Sequence, residues 1–167
     1  MAMEECMFCQ IAAGKVKSVT VYEDLKCRAI LDINPANPGH VLLMPKEHHV
    51  VWQTLPDDLV SHLALVSKDI SNVMLAVLGV KGTNIYIANG EPAGQKAPHF
   101  IMHIIPRSED DGVSFAWDAK KMSEDDMKTI GLQMQEGLKK FVKQEEKKEV
   151  KEEETEVVSE KLPERMP

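Results

Sequence analysis

Residues 98–107, Pro-His-Phe-Ile-Met-His-Ile-Ile-Pro-Arg, constrain the fold more than any other part of the chain. An apolar run rich in branched residues and bounded by prolines predicts a β-strand at 99–105. Side chains alternate between the two faces of a strand, so one face carries two histidines and the other face is apolar. The first face consists of His99, Ile101 and His103, and the second of Phe100, Met102 and Ile104. This pattern predicts a site on one face of a sheet and the core on the other.

The remaining sequence predicts a mixture of strands and helices. Periodicity and turn residues indicate a helical turn at 7–13, strands at 18–23, 27–33 and 40–45, a helix at 56–78, strands at 84–88 and 99–105, and a helix from Ser123. Five antiparallel strands with helices to one side make an α+β fold.

Capping residues mark the predicted helix ends. Thr54 with Asp57 three residues later resembles a capping box before the long helix, and Gly79 is placed to end that helix. Ser123 with Asp126 repeats the capping pattern at the last helix. The apolar positions of the last helix have the spacing of a packed face: Met127, Ile130, Met134 and Leu138.

Length and charge limit the domain organisation and the partners. The 167 residues suit one domain at 1–142, followed by a Glu/Lys-rich tail at 143–167 that is predicted to be disordered or to extend the helix as it frays. A net charge of −7 without a basic stripe argues against nucleic-acid binding. No long apolar run or signal peptide is apparent, and three cysteines do not form a disulfide framework, so we expect a cytoplasmic protein away from membranes.

Residues 94–107 resemble the signature of the histidine-triad (HIT) family of nucleotide hydrolases and transferases, His-x-His-x-His followed by two apolar residues and often by Pro-Arg. Further landmarks of that family occur in matching order: Cys6-Met7-Phe8-Cys9, Val21-Tyr22-Glu23-Asp24, Leu31-Asp32-Ile33, Pro38-Gly39-His40, Met44-Pro45-Lys46 and Asn89-Gly90-Glu91. Several ordered motifs are more specific than any one of them, so the chain is identified as a member of this family over about residues 5–118. The resemblance implies a five-stranded antiparallel sheet with two main helices, and a homodimer whose sheets join into one ten-stranded sheet.

Two departures from the family pattern bear on the chemistry. In the family the middle histidine of the triad attacks the α-phosphorus of a nucleotide and forms a nucleotidyl-histidine intermediate. Here that position is Ile101, which has no nitrogen lone pair. The serine that follows Gly-Gln in the family is Lys96, which is either a positive charge at the phosphate end of the pocket or an exposed loop lysine.

Cys6 and Cys9 have the spacing that lets two thiolates reach one metal ion. A closed tetrahedral site needs two more ligands, for which His48 or His49 and His99 are candidates. The family resemblance implies a structural zinc held by Cys6, Cys9, His48 and His99. The alternatives are a redox pair or two small core residues, and the sequence around the pair lacks the βαβ context of a thioredoxin-like motif.

The resemblance also implies a pocket for a purine nucleotide such as AMP. Asp32 corresponds to a carboxylate that binds the ribose hydroxyls, and His103 and His40 keep supporting catalytic roles at the phosphate and at the nucleophile position. The other predicted contacts are Ile33 at the base, and Asn89, Gly94, Gln95 and Lys96 in the Gly-rich loop. Phe8, Ile11 and Ile30 are placed either beside the base or in the core, whereas His62 is interpreted as a surface residue and Cys27 as a core thiol.

Three interpretations of Ile101 remain open. The chain is a natural homologue that binds nucleotides without cleaving them by the family route, an active hydrolase silenced by an engineered substitution, or a zinc-held dimeric scaffold with a vestigial pocket. Nucleotide affinity separates the first two interpretations from the third, and restoring histidine at position 101 separates the second from the first.

Overall fold

The structure is a computed structural model that describes residues 6–160, with side chains described up to Val142. Its elements are α1 (Met7–Ala12), β1 (Thr20–Glu23), β2 (Cys27–Leu31), β3 (Val41–Pro45), α2 (Asp57–Val77), β4 (Gly82–Ile87), β5 (Met102–Arg107) and α3 (Glu124–Glu160), with short 3-10 turns at Trp52–Thr54 and Glu91–Ala93. The five strands form one antiparallel sheet in the order β1-β2-β3-β5-β4. The predicted α+β fold with five antiparallel strands is therefore confirmed, but the prediction that the helices lie to one side is wrong, because α1 and α2 pack on opposite faces of the sheet.

The two faces of this sheet bury different sets of side chains. The face under α2 carries the larger apolar cluster, to which β5 contributes Met102 and Ile104 and the residues just before it contribute Phe100. The opposite face lies under α1 and carries a smaller cluster of Ile30, Leu42, Met44 and Ala12, against which Ile101 packs. The alternation predicted for residues 99–105 is therefore confirmed, because the two sets of side chains enter opposite layers.

The strand that follows the Gly-rich loop begins later than the sequence predicts. The ladder of β5 starts at Met102, so His99 lies just ahead of the strand and not within it. Phe100 N–H donates to the carbonyl of His49, which is outside the sheet. The chain therefore enters the sheet by crossing the segment after β3, and this crossing brings His99 close to His48.

The capping box predicted for α2 is wrong. Thr54 Oγ1 donates to the carbonyl of Val51, and the N-cap of α2 is Pro56, which makes no side-chain capping bond. Most of the apolar positions with helical spacing are buried in the larger cluster, namely Leu59, Leu63, Val66, Ile70 and Met74. Val73 and Val77, which the same spacing placed on this face, are exposed. By length and composition α2 could cross a membrane, but the core helix of a globular domain meets the same criterion, and the expected absence of a membrane role stays a prediction.

The chain divides into two compact units, residues 6–115 and a second unit that begins at Ala116. In the second unit, Asp126 N–H donates to Ser123 Oγ, which confirms the predicted cap of α3. The apolar positions predicted to pack are exposed: Met127, Ile130, Met134 and Leu138. The helix continues through Glu160, 161–167 lie outside the described residues, and the boundary between a domain at 1–142 and a tail at 143–167 stays a prediction.

Two leucines on α2 provide a test of this packing. Leu63 is fully buried in the larger cluster, whereas Leu65 is 57% exposed. We expect Leu63→Ala to lower the free energy of unfolding by about 2–5 kcal/mol, because it leaves a cavity against the sheet. Leu65→Ala makes the same chemical change at an exposed position and should alter it by less than about 0.5 kcal/mol. Urea denaturation of both variants measures the difference, and similar effects would contradict the described face of α2.

Candidate functional site

Four predicted zinc ligands meet at the edge of α1. Cys6 is the N-cap of α1 and Cys9 lies in its first turn, while His48 follows β3 and His99 precedes β5. One ligand atom from each of these residues lies within 4.8 Å of all the others. Cys6 and His99 are each only 1% exposed. The structure thus brings together residues that are up to 93 positions apart in the sequence.

The distances and protonation states of this cluster suit zinc. Cys9 Sγ is 3.1 Å from His48 Nδ1 and 3.4 Å from His99 Nδ1, and Cys6 Sγ is 3.7 Å from His99 Nδ1. A tetrahedral zinc site with sulfur and nitrogen ligands has ligand–ligand separations of roughly 3.4–3.8 Å. Burial lowers the pKa of His99 to about 4 and raises that of the Cys9 thiol to about 11, so the imidazole is neutral while the thiol gives up its proton when a metal binds.

A carbonyl fixes the orientation of the most buried histidine. His99 Nε2 lies 3.1 Å from the carbonyl oxygen of Pro45, to which Nε2–H donates. This bond assigns the proton to Nε2 and leaves the lone pair of Nδ1 directed at the two sulfurs. Metal-binding histidines are commonly oriented by such a second hydrogen bond, so the donor set and its surroundings fit zinc.

A second cluster contains the residues predicted for the nucleotide phosphate and ribose. Nε2 of His40 is 3.1 Å from Nδ1 of His103, and Nδ1 of His40 accepts from Ala36 N–H at 3.2 Å. These contacts place the proton of His40 on its Nε2, which donates to Nδ1 of His103. The proton of His103 is therefore on its own Nε2. His103 can therefore donate to an oxygen of a ligand, while His40 holds its ring in place.

Asp32 lies beside this histidine pair. Its Oδ2 is 3.4 Å from His40 Nδ1, and its Oδ1 accepts from Asn34 N–H at 2.9 Å. Burial lowers the pKa values of His40 and His103, and the charge of a protonated His40 lowers the pKa of His103 further. The carboxylate of Asp32 acts in the opposite direction on both rings. The pair is therefore largely neutral near pH 7, next to a carboxylate that can accept hydrogen bonds.

The apolar residues predicted near the base do not form one group. Ile30 is buried in the smaller cluster, and Phe8 and Ile11 pack against that cluster while remaining partly exposed, so both interpretations of these residues stay predictions. Ile33 is 90% exposed. The side chain of Ile33, a predicted base contact, is therefore accessible to a ligand.

Two predicted phosphate-loop residues use their side chains to hold the loop itself. Gln95 Oε1 accepts from Gly90 N–H, and Gln95 Nε2 donates to the carbonyls of Val50 and Ala97. Asn89 Oδ1 accepts from Trp52 N–H. Both side chains therefore attach the Gly-rich loop to the segment after β3 by hydrogen bonds. Within that loop Gly94 has φ +90°, a conformation that favours glycine, and Lys96 is exposed.

Tyr86 is a site residue that the sequence reasoning missed. It pairs with His103 across β4 and β5, and the two rings lie 5.9 Å apart. Its hydroxyl donates to the carbonyl of Ala93 in the Gly-rich loop. The alternation along β4 could have indicated a side chain on the histidine face, but only the strand register identifies His103 as its neighbour.

An apolar groove of about 890 Å³ lies elsewhere, between α2 and the neighbouring strands. It is lined by residues such as Val41, Val66, Val73 and Pro106 and by none of the predicted nucleotide contacts. We place the candidate chemistry at the histidine pair and not at this groove, because the groove has few polar groups to orient a substrate.

Comparison with known proteins identifies similar sequences. Residues 13–110 match the HIT domain family. An uncharacterized HIT-like protein of Methanocaldococcus jannaschii is 44% identical over 108 residues, which cover 64% of this chain and 82% of that protein. An adenosine 5′-monophosphoramidase of Schizosaccharomyces pombe is 30% identical over 135 residues, covering 80% of this chain and 98% of that protein.

Solved structures of histidine triad proteins are also similar to this chain. A histidine triad nucleotide-binding protein from Candida albicans superposes with a TM-score of 0.73 at 30% identity, covering 81% of this chain and 99% of that chain. A zinc-bound histidine triad protein from Mycobacterium smegmatis has a TM-score of 0.64 at 34% identity, covering 71% of this chain and 86% of that chain.

The histidine pair generates a prediction about pH. Burial lowers the pKa of His103, whereas an unfolded histidine titrates near about 6.5, so below that pH the unfolded state takes up the proton first and stability falls. We expect His103→Gln to lose less unfolding free energy than the unchanged chain between about pH 7 and about pH 5.5. Urea denaturation at both values measures this difference. Parallel pH profiles for the two proteins would show that His103 is not held neutral.

Proposed function

The chain belongs to the HIT family, and from that premise we propose that it binds a purine nucleotide such as AMP without the covalent chemistry of an intact histidine triad. The observation that carries the proposal is the assembly of Asp32, His40 and His103 into one cluster beside Ile101. A donor, its positioning ring and a carboxylate are retained, while the position of the nucleophile is apolar.

Each retained group has a role in the proposed binding. His103 Nε2–H donates to a phosphate oxygen, and His40 fixes the ring through their hydrogen bond. Asp32 accepts hydrogen bonds from the ribose hydroxyls, and Ile33 covers one side of the base. The Gly-rich loop around Gly94, kept in shape by Asn89 and Gln95, forms the phosphate end of the proposed pocket. The exposed ammonium of Lys96 adds a positive charge at that end of the pocket.

The chemistry is limited at position 101. Attack on the α-phosphorus requires a lone pair on the middle residue of the triad, and Ile101 instead packs against the apolar cluster of Ile30, Leu42 and Met44. His103 keeps its Nδ1 engaged with His40. We infer that this chain retains the capacity to bind the nucleotide and has lost most of the capacity to cleave it.

The relatives support the substrate class. The protein of Schizosaccharomyces pombe is named as an adenosine 5′-monophosphoramidase and that of Candida albicans as nucleotide-binding. We therefore propose adenosine nucleotides, and phosphoramidates in particular, as the ligands to test with this chain.

We also propose that Cys6, Cys9, His48 and His99 hold a structural zinc ion. Support comes from the donor set, the separations of 3.1–3.7 Å and the zinc-bound relative from Mycobacterium smegmatis. The ion supplies a rigid cross-link, while the chain's own residues do the positioning. Through these ligands the start of α1 is tied to the segments after β3 and before β5.

The remaining proposals concern assembly and location. β4 and β1 are the edge strands, and β4 is longer and exposes Ile85, whereas the register of β1 against β2 is irregular. Pairing of two β4 edges would hide their unpaired backbone groups and give a homodimer with a ten-stranded sheet. A cytoplasmic location and the absence of nucleic-acid binding stay predictions.

The test of the proposed function compares the chain with its Ile101→His variant. We expect both proteins to bind AMP, measured by isothermal titration calorimetry. We expect turnover of adenosine 5′-phosphoramidate to rise by roughly a thousandfold or more in the variant, because a nucleophilic lone pair returns to the position beside the phosphate.

Two controls make this comparison specific. Leu65→His places the same new side chain at an exposed position of α2, on the other face of the sheet from His103, and should leave turnover at the level of the unchanged chain. Strong turnover by the unchanged chain would show that another residue is the nucleophile. Absence of AMP binding in both proteins would overturn the proposal and favour the alternative, a zinc-stabilised scaffold with a vestigial pocket.

The structural zinc is tested with two adjacent histidines. His48 lies 3.1 Å from Cys9 Sγ, whereas His49 lies outside the cluster of candidate ligands. We expect His48→Ala to lose about one zinc ion per chain and to lower the melting temperature by at least roughly 5 °C, because the bound ion stabilises only the folded state. His49→Ala should retain that ion. Elemental analysis and thermal unfolding of both variants provide the measurement, and equal zinc contents would contradict the ligand set.

A further inference from the structure

Three metal-ligating side chains meet at a place that the proposed function does not use. Asp24 lies in the turn after β1, Cys27 begins β2, and His62 lies in α2. His62 Nε2 is 2.6 Å from Asp24 Oδ2 and 3.7 Å from Cys27 Sγ, and all three ligand atoms lie within 4.8 Å of one another. The interpretation of His62 as a surface residue is therefore wrong, because its ring is partly buried in a cluster that joins α2 to the first two strands.

The carboxylate of this cluster is held in a fixed orientation. Asp24 Oδ1 accepts from the backbone N–H groups of Lys26 and Cys27, each at 2.8 Å, which directs Oδ2 toward His62. Burial alone would raise the pKa of Asp24, but hydrogen bonds from Cys27 N–H, the Tyr22 hydroxyl, Lys26 N–H and His62 hold it well below its usual range. The group is therefore an ionised carboxylate with one oxygen anchored by the backbone, as carboxylate ligands of metals commonly are.

We propose that Asp24, Cys27 and His62 form a second zinc site, with three protein ligands and a fourth position for water. Oxygen, sulfur and nitrogen donors in this combination suit zinc, and sites with three protein ligands are open sites that admit a water molecule. A tetrahedral ion would set the separations at roughly 3.4–3.6 Å. The 3.7 Å between Cys27 Sγ and His62 Nε2 is already near that value. The distance between His62 Nε2 and Asp24 Oδ2 has to increase by less than about 1 Å when the ion replaces the proton between them.

The protons balance in this binding step. The Cys27 thiol releases its proton to solvent when the zinc–sulfur bond forms. The proton that His62 shares with Asp24 leaves Nε2 through exchange with solvent, so that the ring binds the ion through Nε2 and carries a proton on Nδ1. Burial, together with the charge of Asp24, raises the pKa of Cys27 to about 12, so the metal-free cluster holds a thiol. His62 and Asp24 have side chains that are 30% and 23% exposed, and they form the route by which the ion reaches the buried sulfur.

The second site is separate from the first. Cys27 belongs to the apolar cluster on the α2 face, and the alternation along β2 places Ile30 in the cluster on the α1 face. Cys6 and Cys9 lie at α1, on that opposite side. The two groups of ligands therefore cannot share one ion, and a second ion would join α2 to the turn between β1 and β2.

The first experiment counts zinc in the full chain. After loading with zinc and removal of loosely bound metal by gel filtration, we expect about two zinc ions per chain, and about one in the His62→Gln variant. Lys68→Gln changes an exposed polar residue of the same helix to glutamine and should keep both ions. An equal count in the unchanged chain and in His62→Gln would overturn the second site and leave a hydrogen-bonded cluster without metal.

The second experiment detects the bond between the metal ion and the sulfur of Cys27. The chain has three cysteines, so Cys27 is the single thiol in a Cys6→Ser, Cys9→Ser variant. With cobalt(II) in place of zinc, we expect this variant to develop a thiolate-to-cobalt charge-transfer absorption, and the further change Cys27→Ser to abolish it. Absence of the absorption from the folded double variant would overturn the proposal.

A single variant decides the question if loss of both N-terminal cysteines prevents folding, which circular dichroism would reveal. Cys27→Ser in the otherwise unchanged chain should lose one of about two zinc ions, since serine retains the size of the side chain but not the sulfur ligand. Retention of both ions by this variant would overturn the second site.

Discussion

The antiparallel pairing of β3 with β5 is the constraint on which both the core and the candidate sites depend. Its register sets Leu42 opposite His103 and Leu43 opposite Met102. Because side chains alternate along each strand, this register sends Leu43 and Met102 under α2 and turns His103 toward His40. A slip by one residue would exchange the two sets, burying the histidines in the apolar layer and exposing the core.

The sequence predicted the features that local patterns encode, and it missed those that depend on register. Period-two alternation correctly separated His103 from Met102, and the capping residues of α3 were identified because Ser123 and Asp126 are close in sequence. The contact between Tyr86 and His103 arises from the pairing of two strands, and no local pattern reveals it. His62 was misassigned for the same reason, since its partner Asp24 is 38 residues away.

The residue at position 101 has a packing role. Ile101 extends the apolar cluster formed by Ile30, Leu42 and Met44 up to the edge of the histidine pair. A histidine there would expose a polar ring to that cluster and require a hydrogen-bond partner, whereas isoleucine adds apolar contact. Isoleucine at this position therefore favours stability of the α1 face.

On each face of the sheet, one cluster of candidate ligating residues attaches a helix to the strands or to the turn between them. α1 has only six residues, so its own apolar contacts are few and the cluster at Cys6 and Cys9 holds its start to the strands. On the other face, the bond from His62 to Asp24 ties α2 to the turn between β1 and β2. In both attachments, the polar side chains are hydrogen-bonded to one another. Each attachment therefore orders the position of a helix, which the hydrogen bonds between the strands do not fix. The strand pairing thus fixes the positions of the histidines, and these attachments fix one helix on each face of the sheet.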